Sequence, residues 1–235
     1  MALVILWSKS QMLKFDQFEV LTFDCYGTLI DWESGILAAL RPILESHRVN
    51  VSCEKMLALY AEFEARVQSA NYLPYRQVLR QVMREFGARF NFSPSESEVK
   101  ALEESLPQWQ PFSDTVGALR LLKSKFKLAI ISNIDDDLFQ QTERRLQVPF
   151  DFVITAQQVG SYKPSLNNFN AAIARIGISK DCILHLAGSL YHDIAPAKQL
   201  GLSTVWIQSP TPICNEVHVE PRSPTPYRIS SPLIG

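Results

Sequence analysis

Five short apolar segments, each four residues long, are the sequence feature that most limits how this chain can fold. They are rich in β-branched and large apolar side chains, and polar or turn-forming residues bound each of them, as is typical of buried strands. These segments are Val20–Phe23, Leu128–Ile131, Phe152–Thr155, Ile183–Leu186 and Thr204–Ile207. Helical patterns precede the second segment and separate the third, fourth and fifth segments from one another. Strands that alternate with helices predict an α/β fold of Rossmann-like type, a parallel sheet with helices on both faces.

The long stretch between the first two predicted strands contains no convincing strand of its own. Its clearest helical pattern puts five apolar residues on one face: Tyr75, Val78, Leu79, Val82 and Phe86. Three more amphipathic helices are predicted around this one. We therefore expect an inserted helical cap domain over residues 31–111 and a core domain made of residues 1–30 and 112–208. Residues 209–235 are rich in proline, which opposes both helix and central strand, so we expect an irregular tail there.

Charge and hydropathy limit the partners of this chain. The formal net charge is -1 and no long basic run is present, so neither nucleic acid nor a membrane surface is an expected partner. No apolar stretch approaches the roughly 18 residues of a membrane span. The apolar start is short and no basic residue precedes it, so we interpret the region before Met12 as an unneeded extension rather than a signal peptide. We expect a cytoplasmic protein that acts on a small molecule.

Polar residues follow the predicted strands at the edge where open parallel sheets bind ligands. Asp24 follows the first strand and precedes Gly27, which permits a tight turn. An ionised carboxylate in this position can act as a nucleophile and divide a difficult displacement into two easier steps. The alternative is that Asp24 only caps the following turn.

Three other strand ends carry comparable side chains. Ser132 and Asn133 follow the second strand and can hold an anionic group, although they could equally begin the next helix, where Asp135–Asp137 would favour its positive end. Lys163 follows the third strand and could keep Asp24 ionised. Asp193 follows the fourth and could deprotonate water or cap a helix. Four such sites on successive strand ends favour a catalytic function over four independent caps.

These segments resemble the haloacid dehalogenase superfamily over about residues 18–207. The resemblance rests on the segment Phe23–Leu29, on Ser132-Asn133, on Tyr162-Lys163-Pro164 and on the segment around Asp193. The first segment is the most diagnostic. Within the superfamily the chain is most similar to the L-specific 2-haloacid dehalogenases. The resemblance implies that the helical insertion is a cap domain that closes over the site.

The resemblance also implies a role for each strand-end residue. Asp24 would attack the carbon that bears the halogen, Lys163 would balance charge, and Asp193 would activate water on the resulting ester. The remaining candidates would bind a small acidic substrate; they are Tyr26, Thr28, Ser132 and Asn133. The scheme requires no metal and no other cofactor, and the amphipathic cap helices could pair in a homodimer.

Departures from the family pattern bear on the leaving group. Phosphatases of the superfamily have a second aspartate where this chain has Tyr26, which fits release of a halide because a halide needs no proton. The dehalogenases have an early cap arginine where this chain reads Met56-Leu57-Ala58, and Arg66 or Arg76 would have to replace it. Trp32, Tyr60, Tyr72 and Tyr75 are candidates for substrate specificity.

Two alternatives stay open. The first is a phosphatase in which Mg²⁺ binds Asp24, the Tyr26 carbonyl and Asp193, although Ser189 stands at the first acidic position of the family's metal segment. The second is a catalytically silent protein that binds a small molecule.

Overall fold

The computed structural model describes residues 4–5, 15–69, 71–208 and 228–230, and these ranges contain a seven-stranded sheet. The strands in chain order are β1 (Val4–Ile5), β2 (Val20–Phe23), β3 (Lys127–Ser132), β4 (Phe152–Thr155), β5 (Ile183–Ala187), β6 (Ser203–Gln208) and β7 (Arg228–Ser230). Across the sheet their order is β1-β7-β6-β5-β2-β3-β4. The five predicted strands are therefore confirmed as the parallel centre of the sheet, from β6 to β4.

The two outer strands were not expected from the sequence. Strand β7 pairs antiparallel with β6, and β1 pairs parallel with β7. Residues 228–230 thus depart from the irregular structure predicted for the tail. The rest of that tail, 209–227 and 231–235, lies outside the described residues, as does the predicted N-terminal extension apart from Val4–Ile5.

Helices lie on both faces of the sheet. In chain order they are α1 (Trp32–Ser46), α2 (Cys53–Gln68), α3 (Tyr75–Phe90), α4 (Glu96–Ser105), α5 (Thr115–Lys123), α6 (Asp136–Leu146), α7 (Ala156–Val159), α8 (Leu166–Ile176) and α9 (Ala195–Gln199). Neighbouring residues of β2 point to opposite faces, so Val20 and Leu21 belong to two different apolar clusters. Covering both faces explains why all four residues of β2 are buried.

The insertion after β2 consists of helices α1 to α4 and contains no extended strand among its described residues, as the periodicity predicts. Its core includes an edge-to-face pair between Phe63 of α2 and Phe86 of α3, with ring centroids 5.1 Å apart. Helix α4 begins with a capping box between Ser95 and Glu98. The domain boundaries near residues 30 and 111 stay predictions.

The acidic run after β3 connects the core to this helical insertion, a contact that the sequence did not indicate. Asp135 is 3% exposed, and its two carboxylate oxygens accept hydrogen bonds from the backbone N–H groups of Tyr75 and Arg76, at 2.8 and 3.0 Å. These N–H groups belong to the first two residues of α3. Pro74, which precedes the helix, provides no side-chain cap hydrogen bond. The carboxylate of Asp135 therefore caps a helix of the insertion and makes no side-chain cap hydrogen bond to α6, the helix that follows it in sequence.

We expect Asp135→Ala to lower the free energy of unfolding by about 1 to 3 kcal/mol, because two backbone N–H groups, one buried and one partly buried, lose their acceptor. Urea denaturation at pH 7 measures the loss. Asp137→Ala is the matched control: Asp137 pairs with Arg76 but its side chain is 58% exposed, so its removal should cost under about 1 kcal/mol. Equal losses in the two variants would contradict the capping role of Asp135.

Candidate active site

A cavity of about 710 Å³ lies at the carboxyl ends of the central strands, and helices of the insertion form its opposite wall. The core side contributes Asp24 after β2, Ser132 and Asn133 at the end of β3, Lys163 from the loop before α8, and Asp193 after β5. Strands β3 and β5 lie on opposite sides of β2 and run parallel to it, so the order of the strands along the sheet switches sides at β2. This is the place where open α/β sheets bind their ligands.

Lys163 joins the two acids of this site. Its Nζ lies 2.8 Å from Asp24 Oδ1, 2.6 Å from Asp193 Oδ1 and 2.8 Å from the Ile131 carbonyl oxygen. All three donors of the ammonium group are thereby used. The residue is 2% exposed. Burial alone would lower the pKa of Lys163, but the charges of Asp193 and Asp24 outweigh it and raise that pKa, so the ammonium stays charged.

Thr28 holds the second oxygen of Asp24. Its hydroxyl donates to Asp24 Oδ2 at 2.7 Å and accepts from the backbone N–H of Gly188 at 2.9 Å. Gly188 must be a glycine here, because a Cβ would lie 2.6 Å from the Gly27 carbonyl oxygen. Thr28 is 2% exposed and does not line the cavity. We therefore assign Thr28 a positioning role, in which its hydroxyl holds the Asp24 carboxylate, instead of the predicted contact with substrate.

The two acids differ in their acidity. Burial raises the pKa of Asp24, Lys163 offsets part of this, and the neighbouring charge of Asp193 adds to the rise. For Asp193, burial also opposes ionisation, but Lys163 and a hydrogen bond from His185 outweigh it and lower the pKa. Asp193 thus ionises more readily than Asp24.

His185 is a site residue that sequence reasoning missed. It lies in β5, is fully buried, and its Nε2 lies 3.3 Å from Asp193 Oδ1 while its Nδ1 lies 2.9 Å from the Thr22 hydroxyl. A proton on Nε2 satisfies both contacts, because Thr22 then donates to Nδ1. The signal was present in the sequence: a histidine inside an apolar strand requires polar partners.

Asp193 is also not the helix cap that was considered as an alternative. It lies within a π-helical segment, Leu190–Ile194, and is 1% exposed. Both of its contacts, with Lys163 and with His185, use Oδ1. Its carboxylate is therefore held by side chains of the core.

The predicted substrate-binding residues occupy different positions. Ser132 is 1% exposed, lines the cavity, and its Oγ has no hydrogen-bond partner among the described residues. Asn133 also lines the cavity, but its amide exchanges two hydrogen bonds with the backbone of Lys163 and so fixes that loop. The Tyr26 ring lines the cavity while its hydroxyl bonds to Thr142. Ser132 is thus the one of the three with an uncommitted polar group.

The cap wall differs from the sequence expectation. Arg66 pairs with Glu85, Arg76 pairs with Asp137, and neither lines the cavity, so the proposed substitutes for a cap arginine are wrong. Glu64 of α2 lines the cavity instead, together with three of the four aromatic candidates, which are Trp32, Tyr60 and Tyr75. The Tyr72 ring packs at an angle of 37° against the Tyr162 ring, and neither residue lines the cavity.

The donor set fits Mg²⁺ poorly. No group of three or more histidine, cysteine or acidic side chains with metal-binding geometry occurs within the described ranges. The Lys163 ammonium lies between Asp24 and Asp193 and contacts both. Ser189 supplies a hydroxyl that bonds to the backbone N–H of His192. These contacts favour chemistry in which Lys163 provides the positive charge.

Hydropathy adds one further observation: none of the described helices is both long and apolar enough to cross a membrane.

The sequence matches known proteins over most of its length. A sequence model described as haloacid dehalogenase-like hydrolase matches residues 18–201. An (S)-2-haloacid dehalogenase of Pseudomonas fluorescens is 24% identical over 202 residues, which cover 85% of this chain and 88% of that protein. A glyceraldehyde 3-phosphate phosphatase of Methanothermobacter thermautotrophicus is 30% identical over 116 residues, 47% of this chain and 50% of the phosphatase.

Solved structures share the fold. A crystal structure of an L-2-haloacid dehalogenase superposes with a TM-score of 0.72 at 22% identity, over 83% of this chain and 85% of that one. The L-2-haloacid dehalogenase of Xanthobacter autotrophicus, solved with chloropropionic acid covalently bound, gives a TM-score of 0.69 at 21% identity, over 80% and 76% of the two chains. Since the family model covers well over half of the sequence, this chain belongs to the haloacid dehalogenase-like hydrolases.

Proposed function

We propose that this hydrolase removes the halogen from a small 2-haloacid through a covalent ester on Asp24. The observation that supports this most strongly is the buried Asp24–Lys163–Asp193 network at the floor of the cavity. It holds one carboxylate against a permanent positive charge beside a second, more acidic carboxylate. That is the arrangement a two-step displacement requires, with a nucleophile and a separate group to activate water.

In the first step, a carboxylate oxygen of Asp24 attacks the carbon that bears the halogen. The halide leaves with the bonding electron pair, and the new bond is an ester. Lys163 keeps Asp24 ionised before the attack, and the Thr28 hydroxyl fixes the orientation of the carboxylate. The Ser132 hydroxyl, which lacks a partner among the described residues, is available to the carboxylate of the substrate.

In the second step, Asp193 takes a proton from a water molecule, which attacks the ester carbonyl carbon of Asp24. The bond between the carbonyl carbon and the substrate oxygen breaks, and that oxygen takes the proton held by Asp193. A 2-hydroxy acid leaves, and Asp24 and Asp193 both return to their ionised forms. The low pKa of Asp193 keeps it ionised and able to accept a proton at neutral pH. Its Oδ1 is engaged by Lys163 and His185, which leaves Oδ2 for the water.

A phosphatase is the second candidate, supported by the partial match to a glyceraldehyde 3-phosphate phosphatase. Release of an alkoxide benefits from an acid that protonates it. At that position Tyr26 offers a phenol that is already bonded to Thr142 and whose pKa burial raises well above its ordinary value. The metal donor set is also incomplete. The Tyr26 phenol thus favours a leaving group that needs no proton, and the incomplete donor set disfavours a reaction that depends on Mg²⁺.

An activity panel on the purified protein tests the proposal. It contains 2-chloropropionate and a set of phosphate esters, each assayed with Mg²⁺ and with EDTA. We expect chloride release that EDTA does not change. Phosphate release that requires Mg²⁺, with no chloride release, would move the protein to the phosphatases. No turnover in the presence of saturable binding would favour a silent binding protein.

The pH dependence follows from the acidity of Asp24. The attack needs ionised Asp24, and burial raises its pKa, so kcat/KM should fall with decreasing pH at a pH above the ordinary aspartate value of about 3.9. A pH–rate profile with 2-chloropropionate measures this fall in kcat/KM, and circular dichroism at each pH verifies that the protein is folded. A rate that stays constant down to pH 4 would contradict a raised pKa at the nucleophile.

A further inference from the structure

The cap wall of the cavity presents a carboxyl group that no step of the proposed reaction uses. Glu64 lies on α2, and its Oε1 accepts hydrogen bonds from the hydroxyls of Tyr75 at 2.7 Å and Tyr60 at 3.1 Å. The two phenol oxygens lie 3.0 Å apart, but each phenol has one proton, so with both protons donated to Glu64 this contact is not a third hydrogen bond. Neither phenol contacts Oε2 of Glu64. The phenols therefore fix the side chain, and its second oxygen remains as an acceptor at the cavity wall.

The charges around the cavity are unbalanced. Among the described residues that line it, Lys163 is the one lysine or arginine, whereas carboxyl groups come from both the core and the cap, including Asp24, Asp31, Glu64 and Asp193. Lys163 donates all three of its hydrogen bonds within the core. Burial lowers the pKa of His192, so that ring adds no charge at neutral pH. The cap end of the cavity is thus lined by carboxyl groups and has no lysine or arginine of its own among these residues. Burial raises the pKa of Glu64, and the hydrogen bonds from Tyr75 and Tyr60 offset part of that rise.

Aromatic rings surround this carboxyl. Trp32 and Tyr60 line the same wall with ring centroids 5.7 Å apart, and Trp109 lies beside Tyr26 on the adjoining side. Aromatic faces attract organic cations, and an ammonium group that meets both a carboxylate and such faces is bound by charge and by the ring quadrupole. Aromatic rings next to carboxyl groups favour a positively charged group of the ligand over a second anionic one.

We propose that Glu64 selects substrates that carry an ammonium group several bonds away from the reacting carbon. The substrate class is then a small zwitterionic acid, with its carboxylate toward Ser132 and its amine toward Glu64 Oε2. The assignment of the carboxylate end rests on the proposed function. The assignment of the amine end rests only on the residues of the cap wall. The two assignments can therefore be tested separately.

Binding of unreactive acids tests the amine end without turnover. Titration calorimetry compares 4-aminobutyrate with pentanoate, in which a methyl group replaces the ammonium. We expect the wild-type protein to bind 4-aminobutyrate at least about tenfold more tightly, and Glu64→Gln to lose that preference. Glutamine can still accept from both phenols, so this variant should fold, and thermal melting verifies it. Glu62→Gln, an exposed neighbour on α2 outside the cavity, should keep the preference.

Equal binding of the two acids by the wild type, or a preference that survives in Glu64→Gln, would overturn the assignment. Chloride release from 4-amino-2-chlorobutyrate and from 2-chloropentanoate then separates the two proposals. Turnover of both without an amine preference would contradict the role of Glu64 and leave the dehalogenase proposal intact. An amine preference in binding without chloride release would support Glu64 and contradict dehalogenation.

Discussion

Asp24→Asn should abolish turnover, lowering kcat by at least about a thousandfold, while the fold is retained. The amide keeps the shape of the carboxylate: its oxygen can accept from Lys163, and its NH2 group can donate to the Thr28 hydroxyl, which in the wild type donates to Asp24 Oδ2. It lacks the negative charge that attacks carbon, so the effect should fall on the chemical step alone. Chloride release and thermal melting measure the two properties. Asp181→Asn, an exposed residue far from the cavity, is the control and should keep full activity.

A single-turnover experiment in ¹⁸O-labelled water tests the covalent ester directly. If Asp24 is the nucleophile, the product takes its oxygen from the carboxylate, and the label appears on Asp24 in the peptide that contains it. Direct attack by water would put the label in the product instead. That result, or full activity of Asp24→Asn, would end the nucleophile hypothesis.

Lys163→Met should lower the free energy of unfolding by about 3 to 5 kcal/mol at pH 7 and also remove activity. The substitution leaves Asp24 and Asp193 buried side by side without the cation that now contacts both. Removing one partner of a buried ion network costs far more than the network contributes, because the remaining charges cannot return to water. Urea denaturation measures the loss. Lys123→Met, in a partly exposed pair with Asp151, should cost under about 1 kcal/mol.

The sign of the pH dependence gives a second test of the same variant. Without Lys163, burial and mutual repulsion raise the pKa values of both acids above those of the unfolded chain. Protonated Asp24 and Asp193 are compatible with burial at low pH. That contribution to stability is lost as the pH rises through the folded-state pKa values of the two acids. The difference in stability between wild type and Lys163→Met should therefore grow from pH 4 to pH 8. Lys163→Met combined with Asp193→Asn should recover part of the loss, and a constant difference would contradict this account.

The sequence by itself determined the five central strands of the sheet and the helical insertion, but not the outer strands β1 and β7. Both depend on periodicity, because each segment needs a side-chain pattern that matches its own backbone repeat. Strands β2 and β4 have the predicted bounds, and β3, β5 and β6 extend the predictions by one or two residues. The rule that ligands bind at the carboxyl ends of parallel strands then selected Asp24, Ser132, Lys163 and Asp193 before any coordinates were known.

Only the tertiary structure decided what those residues touch. Thr28 and Asn133 lie just after strands, where residues that bind substrate are expected. The Thr28 hydroxyl instead bonds to Asp24, and the Asn133 amide bonds to the backbone of Lys163. Asp135 caps a helix that begins 60 residues earlier in the chain. Glu64 is one of several polar residues of α2, and only the packing shows that it lines the cavity. Periodicity reports which face of an element is buried. It does not report which side chain of another element lies opposite, because that depends on how separate segments pack in three dimensions.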